Sequence, residues 1–359
     1  MNHSTQRITA FDFARALAFF GMLIVNYKLS MQAENDGAAW LRAIAGLFEG
    51  RAAALFVVLA GIGVSLMTTK ARSSMNKDVI RQSRNNLYRR AIFLFITGIY
   101  LLLIGWTADI LHYYAVFMLV ASVLITASDK IILSLFAVIL LASQSFLIMF
   151  DYSKGWNTNF HEYAGFWTVE GFIRNLLLNG FHPIFPWVCF FLIGLWLGRK
   201  RWFYMGNRSR LLLYSLSGTV VFEAISYGLI KGTSSVLDIE TANYLFTTKP
   251  MPPTILYVLS ATCLAVAVIT ISFYVVEKLG HFRLTQALVN TGQLSLSHYV
   301  GHVLIGLGFL KLVGYLDNGS LSFAIAYGCS YFLLAMIFSF VWRKWIKRGP
   351  VELIMRRWC

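Results

Sequence analysis

Runs of about twenty apolar residues recur along the whole chain, and they constrain its fold more than any other feature. A helix that crosses the ~30 Å hydrocarbon core of a bilayer needs roughly twenty such residues. Backbone groups in lipid must be satisfied internally, and an α-helix does this within one segment. The runs predict about ten transmembrane helices, at 10–27, 52–69, 89–106, 110–127, 131–150, 184–198, 211–231, 253–276, 290–314 and 321–342.

The composition also indicates a membrane protein. Of the 359 residues, 58% are hydrophobic and only 13% are charged, against roughly 25% charged in a typical soluble domain. No small-residue cleavage site follows the first apolar run, so we expect a retained helix there rather than a signal peptide. We therefore predict an all-α, polytopic membrane helix bundle that forms a single domain over residues 1–359 and has the lipid bilayer as a partner.

Basic residues concentrate in three segments outside the apolar runs. In a soluble protein a net charge of +15 would suggest nucleic-acid binding, but Lys and Arg in short loops are typical of the cytoplasmic side of a membrane protein. With ten spans, the basic segments 70–90, 199–210 and 343–357 fall on one side, so we predict that both termini are cytoplasmic and that no nucleic acid is bound. The segments predicted to face outward are 28–51, 107–109, 151–183 and 232–252. The segment 168–181 is amphipathic, and we expect it to lie at the interface or to re-enter the membrane.

The first span begins with an ionisable pair. Asp12 and Arg15 lie three residues apart, on one helical face. An ionisable residue inside a span costs roughly 2.5–3.5 kcal/mol on insertion scales, so such residues usually pair or face a polar cavity. We expect Asp12 and Arg15 to point inward and to pair with each other or with a polar group of a neighbouring helix.

A carboxylate and two histidines lie at the predicted outer ends of two further spans. The stretch TADILHYYAVF places Asp109 and His112 one turn apart, where a carboxylate can orient an imidazole. The alternative is a polar cap, with Tyr113 and the next tyrosine in the aromatic belt of the membrane. His182 precedes two prolines at the start of the sixth span, and a functional and a solvated histidine are both compatible with that position.

The stretch NTGQLSLSHYVGHVLIG is the most unusual part of the ninth span, since Ser295, His298 and His302 lie within two turns. Two histidines four residues apart can bind a metal, but the Glu of a zinc-hydrolase helix and a third ligand are missing. The four scattered cysteines suggest neither a disulfide framework nor a metal site. We therefore predict no metal, and we favour proton transfer or substrate binding over a buried histidine with satisfied hydrogen bonds.

Glu49 and Arg51 flank the start of the second span, as a solvated pair or as part of a polar site. Gly61 and Gly63, later in that span, allow close helix packing. Ionisable residues in or beside so many spans are costly for a lipid-facing bundle, and together they predict one polar cavity inside it. The residues are Asp12, Arg15, Glu49, Arg51, Asp109, His112, His182, His298 and His302.

Several segments, in order along the chain, resemble a known family. They are RITAFDFARALAFFGMLIVN, FEGRAAALFVVLAGIGVSL, HPIFPWVCFFLIGLWLGR, GQLSLSHYVGHVLIG and RGPVEL with Arg356. The chain resembles the YeiB-like bacterial membrane proteins, which are related to the heparan-α-glucosaminide N-acetyltransferases and more distantly to the acyltransferase-3 proteins. The resemblance implies a multi-pass protein of the bacterial cytoplasmic (inner) membrane. It also implies transfer of an acyl group from cytosolic acyl-coenzyme A to an acceptor across the membrane.

In the acetyltransferase relatives a histidine in the first outward loop matters for catalysis. Loop 28–51 contains none here, so His112, His182 or His298 would have to serve.

Three functions are compatible with these features. The first is an O- or N-acyltransferase that moves an acyl group, in the simplest case acetyl from acetyl-coenzyme A, to a hydroxyl or amine of an envelope acceptor. The others are a proton-coupled transporter or exporter of a small polar solute and a non-catalytic assembly factor of the envelope. We favour the first, and the acceptor, the acyl group and a homodimeric state stay open.

For the acyltransferase we predict that coenzyme A phosphates dock on the basic loops and that His112 or His182 is the general base. His298 would position the acyl donor. Arg15 or Arg51 would stabilise the oxyanion of the tetrahedral intermediate. The remaining residues predicted to act in catalysis, substrate binding or charge stabilisation are Asp109, Asp12, Glu49, Ser295 and His302.

Overall fold

The computed structural model describes residues 8–157, 160–200, 202–203 and 206–359. Its α-helices, in chain order, are α1 (Thr9–Ser30), α2 (Ala39–Gly46), α3 (Arg51–Met67), α4 (Thr69–Ser74), α5 (Lys77–Leu103), α6 (Leu111–Leu124), α7 (Asp129–Met149), α8 (Val169–Arg174), α9 (Ile184–Leu197), α10 (Arg208–Thr233), α11 (Ile239–Phe246), α12 (Ile255–Leu279), α13 (Arg283–Gln293), α14 (Ser295–Gly301), α15 (Gly308–Leu312), α16 (Leu321–Trp342) and α17 (Pro350–Trp358). Two π-helical segments, π1 (Asn175–Asn179) and π2 (His302–Leu307), follow α8 and α14. These elements confirm the predicted all-α fold. Arg201 of the basic segment 199–210 and positions 158–159 of an outward segment lie outside the described residues.

Seven helices in the described part of the chain are long and apolar enough to cross a membrane. They are Thr9–Ser30, Ala39–Met67 (α2 and α3 counted together), Lys77–Leu103, Asp129–Met149, Arg208–Thr233, Ile255–Leu279 and Leu321–Trp342. The count rises to eight if Val169–Asn179 and Ile184–Leu197, which are bent by 48° against each other, form one broken span. At 14 residues, α6 is shorter than these. The multi-pass helical architecture is thus confirmed, whereas the count of ten is not, and the side on which the termini lie stays a prediction.

The predicted span 290–314 is not one continuous α-helix. It leaves the helical conformation at Leu294, with φ −107° and ψ 20°, and continues as α14, π2 and α15. Just before this break, the chain packs against the α1 backbone so closely that a Cβ on Gly292 would lie 1.7 Å from the carbonyl oxygen of Asp12. The apolar run predicted one continuous helix here, whereas the structure has a break followed by three shorter helical segments.

The other interruption lies at the start of α9, where Pro183 precedes the helix and Pro186 lies within its first turn. Proline has no N–H to donate within a helix, and Phe185 between them is non-helical, with φ −97° and ψ 111°. The segment 168–181 is therefore the first limb of a broken span or a re-entrant segment. A re-entrant segment was one of the two forms predicted from the sequence.

The chain divides into two compact units. The first contains the residues up to Phe56 together with Val266–Arg357, and the second contains Val57–Ala265 with Trp358–Cys359. The core of the first unit is built from α1 and α16, where Phe19 and Phe332 lie with their ring centroids 6.0 Å apart. The prediction of a single domain stays a prediction.

The second unit is centred on α9, which is buried along almost its whole length. Gly61 of α3 and Gly194 of α9 let the two helices meet at their backbones. A Cβ on Gly61 would lie 2.3 Å from the carbonyl oxygen of Phe191, and one on Gly194 would lie 2.2 Å from that of Val58. This close packing was predicted for Gly61, and it holds α9 firmly against α3.

Two of the predicted basic segments meet at the C-terminal end of α6. Arg84 Nε donates to the carbonyl oxygen of Ser122 at 3.1 Å, and Arg199 donates to the carbonyl oxygens of Leu124 at 3.2 Å and Ala127 at 2.6 Å. These bonds satisfy carbonyl groups that a helix end leaves free. The segments 70–90 and 199–210 therefore lie at one end of the second unit, as their assignment to one membrane side requires.

Candidate functional site

The N-terminus of α6 carries a buried carboxylate–imidazole pair. Asp109 Oδ2 accepts from the backbone N–H of His112 at 3.0 Å and from its ring Nδ1 at 2.8 Å. The side chain of Asp109 is 0% exposed and that of His112 is 1% exposed. The carboxylate therefore orients the imidazole and also occupies the end of the helix where negative charge is favourable.

The hydrogen bond with Asp109 determines which nitrogen of His112 is available for chemistry. A carboxylate accepts, so Nδ1 carries the proton and Nε2 presents its lone pair. Nε2 is buried and has no hydrogen-bond partner within the described residues. An oriented imidazole with a free Nε2 can act as a general base for a proton brought within hydrogen-bond reach of that nitrogen.

The position of Asp109 depends on a glycine in the preceding helix. A Cβ on Gly98 of α5 would lie 2.6 Å from Asp109 Oδ2 and 2.6 Å from the backbone nitrogen of His112. Only a residue without a side chain allows α5 to approach this closely. The pair is therefore held against the helix backbone rather than against a flexible side chain.

Aromatic rings continue from His112 through the second unit, in what we call the ring cluster: His112, Tyr113, His182 and Trp187. The ring centroids of His112 and Tyr113 lie 3.9 Å apart, those of Tyr113 and His182 5.9 Å, and those of His182 and Trp187 4.5 Å. Tyr113 also donates its hydroxyl to Asn175 Oδ1 at 2.8 Å. The structure thus joins the histidines of two predicted spans through contacting rings.

Three ring nitrogens of this cluster are buried without a partner. They are His112 Nε2, His182 Nδ1 and Trp187 Nε1, none of which has a hydrogen-bond partner within the part of the chain that the structure describes. Each unsatisfied buried polar group costs about 1–3 kcal/mol. Three such groups in contacting rings mark a place where a bound water or ligand can supply the missing partners.

A cavity lined by aromatic side chains lies next to the ring cluster. It has a volume of about 650 Å³, within the range of small-molecule sites, and its walls include Trp156, Tyr163, Phe166 and Trp167. Asn175 lines this aromatic cavity and is also the partner of the Tyr113 hydroxyl. A molecule in the cavity would therefore lie one residue away from the ring cluster.

Asp12 and Arg15 form a separate polar group in the first unit. Arg15 Nη1 lies 2.6 Å from Asp12 Oδ1, and Gln293 Nε2 donates to Asp12 Oδ2 at 3.0 Å. Asp12 is 1% exposed. The pair thus points inward and pairs internally, as predicted, and Gln293 is the polar group from a neighbouring helix.

His298 and His302 also belong to the first unit, and both are hydrogen-bonded. His298 Nε2 lies 2.6 Å from Ser339 Oγ. His302 Nδ1 donates to the carbonyl oxygen of Tyr299, and His302 Nε2 accepts from Asn26 Nδ2 at 3.0 Å. Both ring nitrogens of His302 are therefore satisfied, as is Nε2 of His298. A catalytic role for the pair stays a prediction.

The remaining predicted residues lie in the first unit as well. Glu49 forms an ion pair with the buried Lys28, a partner that the sequence analysis did not consider. Arg51 is the first residue of α3 and Ser295 the first of α14. The structure therefore assembles Asp109, His112 and His182 in one unit and assigns the other predicted residues to the other.

Sequence reasoning missed three members of the site. It placed Tyr113 in the aromatic belt as one alternative, but this residue is 1% exposed and fills the ring cluster. It did not select Asn175 or Trp187. A polar asparagine within an apolar helical stretch was the signal for Asn175, whereas an apolar tryptophan among other apolar residues carries none.

Comparisons with known proteins identify two matches. A family described as heparan-alpha-glucosaminide N-acetyltransferase, catalytic, matches residues 7–228. A second, described as a protein of unknown function (DUF418), matches residues 197–359. None of the curated proteins matches the chain. The first match includes the ring cluster and the aromatic cavity.

Proposed function

Because the chain belongs to the heparan-alpha-glucosaminide N-acetyltransferase catalytic family, we propose that it transfers an acyl group from acyl-coenzyme A to an amine or hydroxyl of an acceptor. The relationship was predicted from the sequence motifs, and the two matched ranges confirm it. We further propose that the protein lies in the bacterial inner membrane, takes acetyl-coenzyme A as its donor and modifies an acceptor of the cell envelope. The observation that carries the proposal is the free Nε2 of His112, oriented by the buried Asp109.

The proposed reaction exchanges one bond and moves one proton. The acceptor nitrogen or oxygen attacks the thioester carbonyl carbon while its proton passes to His112 Nε2. The tetrahedral intermediate then loses the coenzyme A sulfur, and the imidazolium returns the proton to that sulfur. Asp109 keeps the ring in place during both steps and stabilises the transient positive charge.

Trp187 is our candidate for stabilising the oxyanion. Its indole Nε1–H can only donate, it is buried, and it has no partner among the described residues. A fixed donor in a water-poor site stabilises developing negative charge efficiently. We assign this role to Trp187 because it lies in the ring cluster, whereas Arg15 pairs with Asp12 in the first unit. The roles predicted for Arg15 and Arg51 stay untested.

The C-terminal end of α6, where the basic segments 70–90 and 199–210 meet, suits the phosphates of coenzyme A. Burial and the nearby Arg199 guanidinium lower the pKa of Arg72, and Asp129, which pairs with Arg199, partly offsets this shift. An anion bound between the two arginines would relieve the remaining repulsion. The 14 residues of α6 separate this end from His112 by about 20 Å at 1.5 Å per residue. The extended pantetheine arm of coenzyme A has a comparable length.

The aromatic cavity suits a sugar as the acceptor. A sugar ring has apolar C–H faces, which pack on aromatic rings such as Trp156 and Trp167, and polar edges, which hydrogen-bond to groups such as Glu162 and Asn157. The description of the family names a glucosaminide, which is a sugar bearing an amine. We therefore propose an amino sugar, or a sugar hydroxyl, as the group that receives the acyl chain.

Acetyl transfer by the purified protein in lipid nanodiscs tests this proposal. We expect wild-type protein to transfer labelled acetyl from acetyl-coenzyme A to methyl β-glucosaminide, and His112→Ala to be about 10²- to 10⁴-fold slower. The matched control is His281→Ala, which removes an exposed histidine and should keep the wild-type rate. Full activity of a folded His112→Ala protein would contradict the assignment of the base.

The transporter interpretation predicts a different result in the same preparation. If wild-type protein transfers acetyl to none of the sugars tested, but drives uptake of a polar solute in proteoliposomes when a proton gradient is imposed, transport replaces acyl transfer.

A further inference from the structure

A second cavity in the same unit has a different character. It has a volume of about 480 Å³, and most of its walls are apolar, including Phe146, Leu147, Leu177 and Phe185. It lies at the C-terminal end of α7 and the N-terminal end of α9. Because α7 is long and apolar enough to cross the membrane, this apolar cavity lies near one end of a candidate span.

Side chains beside the apolar cavity are exposed rather than covered by protein. Phe150 is 51% exposed and Ile173 is 48% exposed, and both also line the cavity. Phe150 directly follows α7, and Ile173 lies on α8. The apolar cavity therefore has exposed apolar side chains at its rim, beside the end of a candidate span, where an alkyl chain of a lipid could reach them.

The apolar and aromatic cavities share a wall only one side-chain layer thick. Tyr163 lines the aromatic cavity, and Arg174 and Asn179 line the apolar one. Arg174 Nε donates to the Tyr163 hydroxyl at 2.8 Å, and that hydroxyl donates to Asn179 Oδ1 at 2.8 Å. A single amphiphilic molecule could thus occupy both cavities by passing over the edge of this wall.

From this arrangement we propose that the acyl acceptor is a glycolipid, whose sugar occupies the aromatic cavity and whose hydrocarbon chain occupies the apolar one. The inference rests on the proposed function and specifies its substrate class. It explains why the two cavities adjoin: the lipid chain anchors the acceptor, and the sugar is directed towards Asn175, the residue that contacts Tyr113 of the ring cluster.

The charged residues of the apolar cavity suit the junction between sugar and lipid. Lys154 and Arg174 are balanced by Asp151 and Glu170, and Arg174 Nη1 lies 2.9 Å from Glu170 Oε1. The four formal charges sum to zero, so the site does not demand an anionic lipid. A lipid that carries its sugar directly and a lipid that carries it through a phosphate would both fit this site. The acceptors used in the test distinguish the two linkages.

Alkyl β-glucosaminides of different chain length test the inference. In nanodiscs, we expect kcat/KM for acetyl transfer to be at least tenfold higher for the octyl than for the methyl compound, because burial of each methylene is favourable. Glucosamine linked to an octyl chain through a phosphate is the third acceptor. A rate similar to the neutral octyl compound would indicate that both junctions fit, and a clear preference would identify the natural one.

Substitutions inside and outside the cavity separate binding in the cavity from simple partition into the membrane. Leu177→Trp and, as a milder variant, Ser143→Leu add volume to the cavity lining and should lower the octyl-to-methyl ratio at least fivefold. Ile148→Trp is the control, since Ile148 is 71% exposed on α7 and does not line the cavity; it should keep the wild-type ratio.

The outcomes distinguish this inference from the function on which it rests. Transfer to the methyl and octyl compounds at equal efficiency would overturn the glycolipid inference while the acetyltransferase proposal stands. An octyl preference that survives folded Leu177→Trp and Ser143→Leu would also overturn it, because the chain would then bind elsewhere. If no sugar is acetylated by wild-type protein, the proposed function itself fails.

Discussion

Replacing Asp109 is the most informative perturbation of the site, because one oxygen of this residue accepts two buried hydrogen bonds. Asp109→Ala leaves the backbone N–H and the ring Nδ1 of His112 without an acceptor. At about 1–3 kcal/mol for each unsatisfied buried group, we expect a loss of roughly 2–6 kcal/mol. That is a large part of the roughly 5–15 kcal/mol by which proteins are usually stable.

Asp109→Asn removes the charge of the carboxylate and keeps its shape. The amide oxygen can accept the same two bonds, so stability should fall by about 2–3 kcal/mol, which is the difference of about 1–1.5 kcal/mol between charge-assisted and neutral hydrogen bonds counted for each bond. The amide cannot neutralise the imidazolium that forms when His112 takes the acceptor proton. We therefore expect acyl transfer to fall by at least tenfold although the protein remains folded.

The two variants are compared by thermal unfolding in detergent and by acetyl transfer to methyl β-glucosaminide. Asp317→Asn, which neutralises an exposed aspartate of the first unit, is the control and should match wild type in both assays. Wild-type activity in Asp109→Asn, or equal stability of the Asn and Ala variants, would refute the reasoning.

Three further predictions concern other parts of the chain. Gly98→Ala should reduce acyl transfer, because its methyl group would lie 2.6 Å from Asp109 Oδ2 and displace the carboxylate; Gly228→Ala, at a helical glycine with open space around it, is the control. Burial raises the pKa of Glu352, against the hydrogen bonds from Ser297, so its ionisation opposes folding. The unfolding free energy should fall as pH rises from about the ordinary glutamate value to the raised pKa, and thermal unfolding at several pH values should show a weaker fall in Glu352→Gln. A cysteine introduced as Ser74→Cys, in a chain without its four native cysteines, should resist impermeant thiol reagents in intact cells if segment 70–90 is cytoplasmic; labelling there would refute the topology.

The short-range features of this protein could be predicted from its sequence. Apolar runs correctly indicated a multi-pass helical bundle, because the length of a run and the thickness of a bilayer are both local quantities. The contacts of Asp12 with Arg15 and of Asp109 with His112 were also predictable. Residues three apart on a helix are neighbours, and a carboxylate just before a helix commonly accepts from backbone N–H groups of the first turn.

Only the tertiary structure decided which of the predicted residues lie together. Asn175 reaches Tyr113 across 62 residues of sequence, and Asn26 satisfies His302 across 276; no local pattern encodes either contact. The spacing of His298 and His302 suggested a functional pair. It could not show that Asn26 of α1 forms a hydrogen bond with His302. Likewise, the sequence does not distinguish Trp187 from its apolar neighbours. Only the packing shows that its Nε1 is buried without a partner within the described residues. Helix periodicity determines which face a residue occupies, whereas the identity of its partner depends on how distant helices pack, and in this protein that packing builds the candidate site.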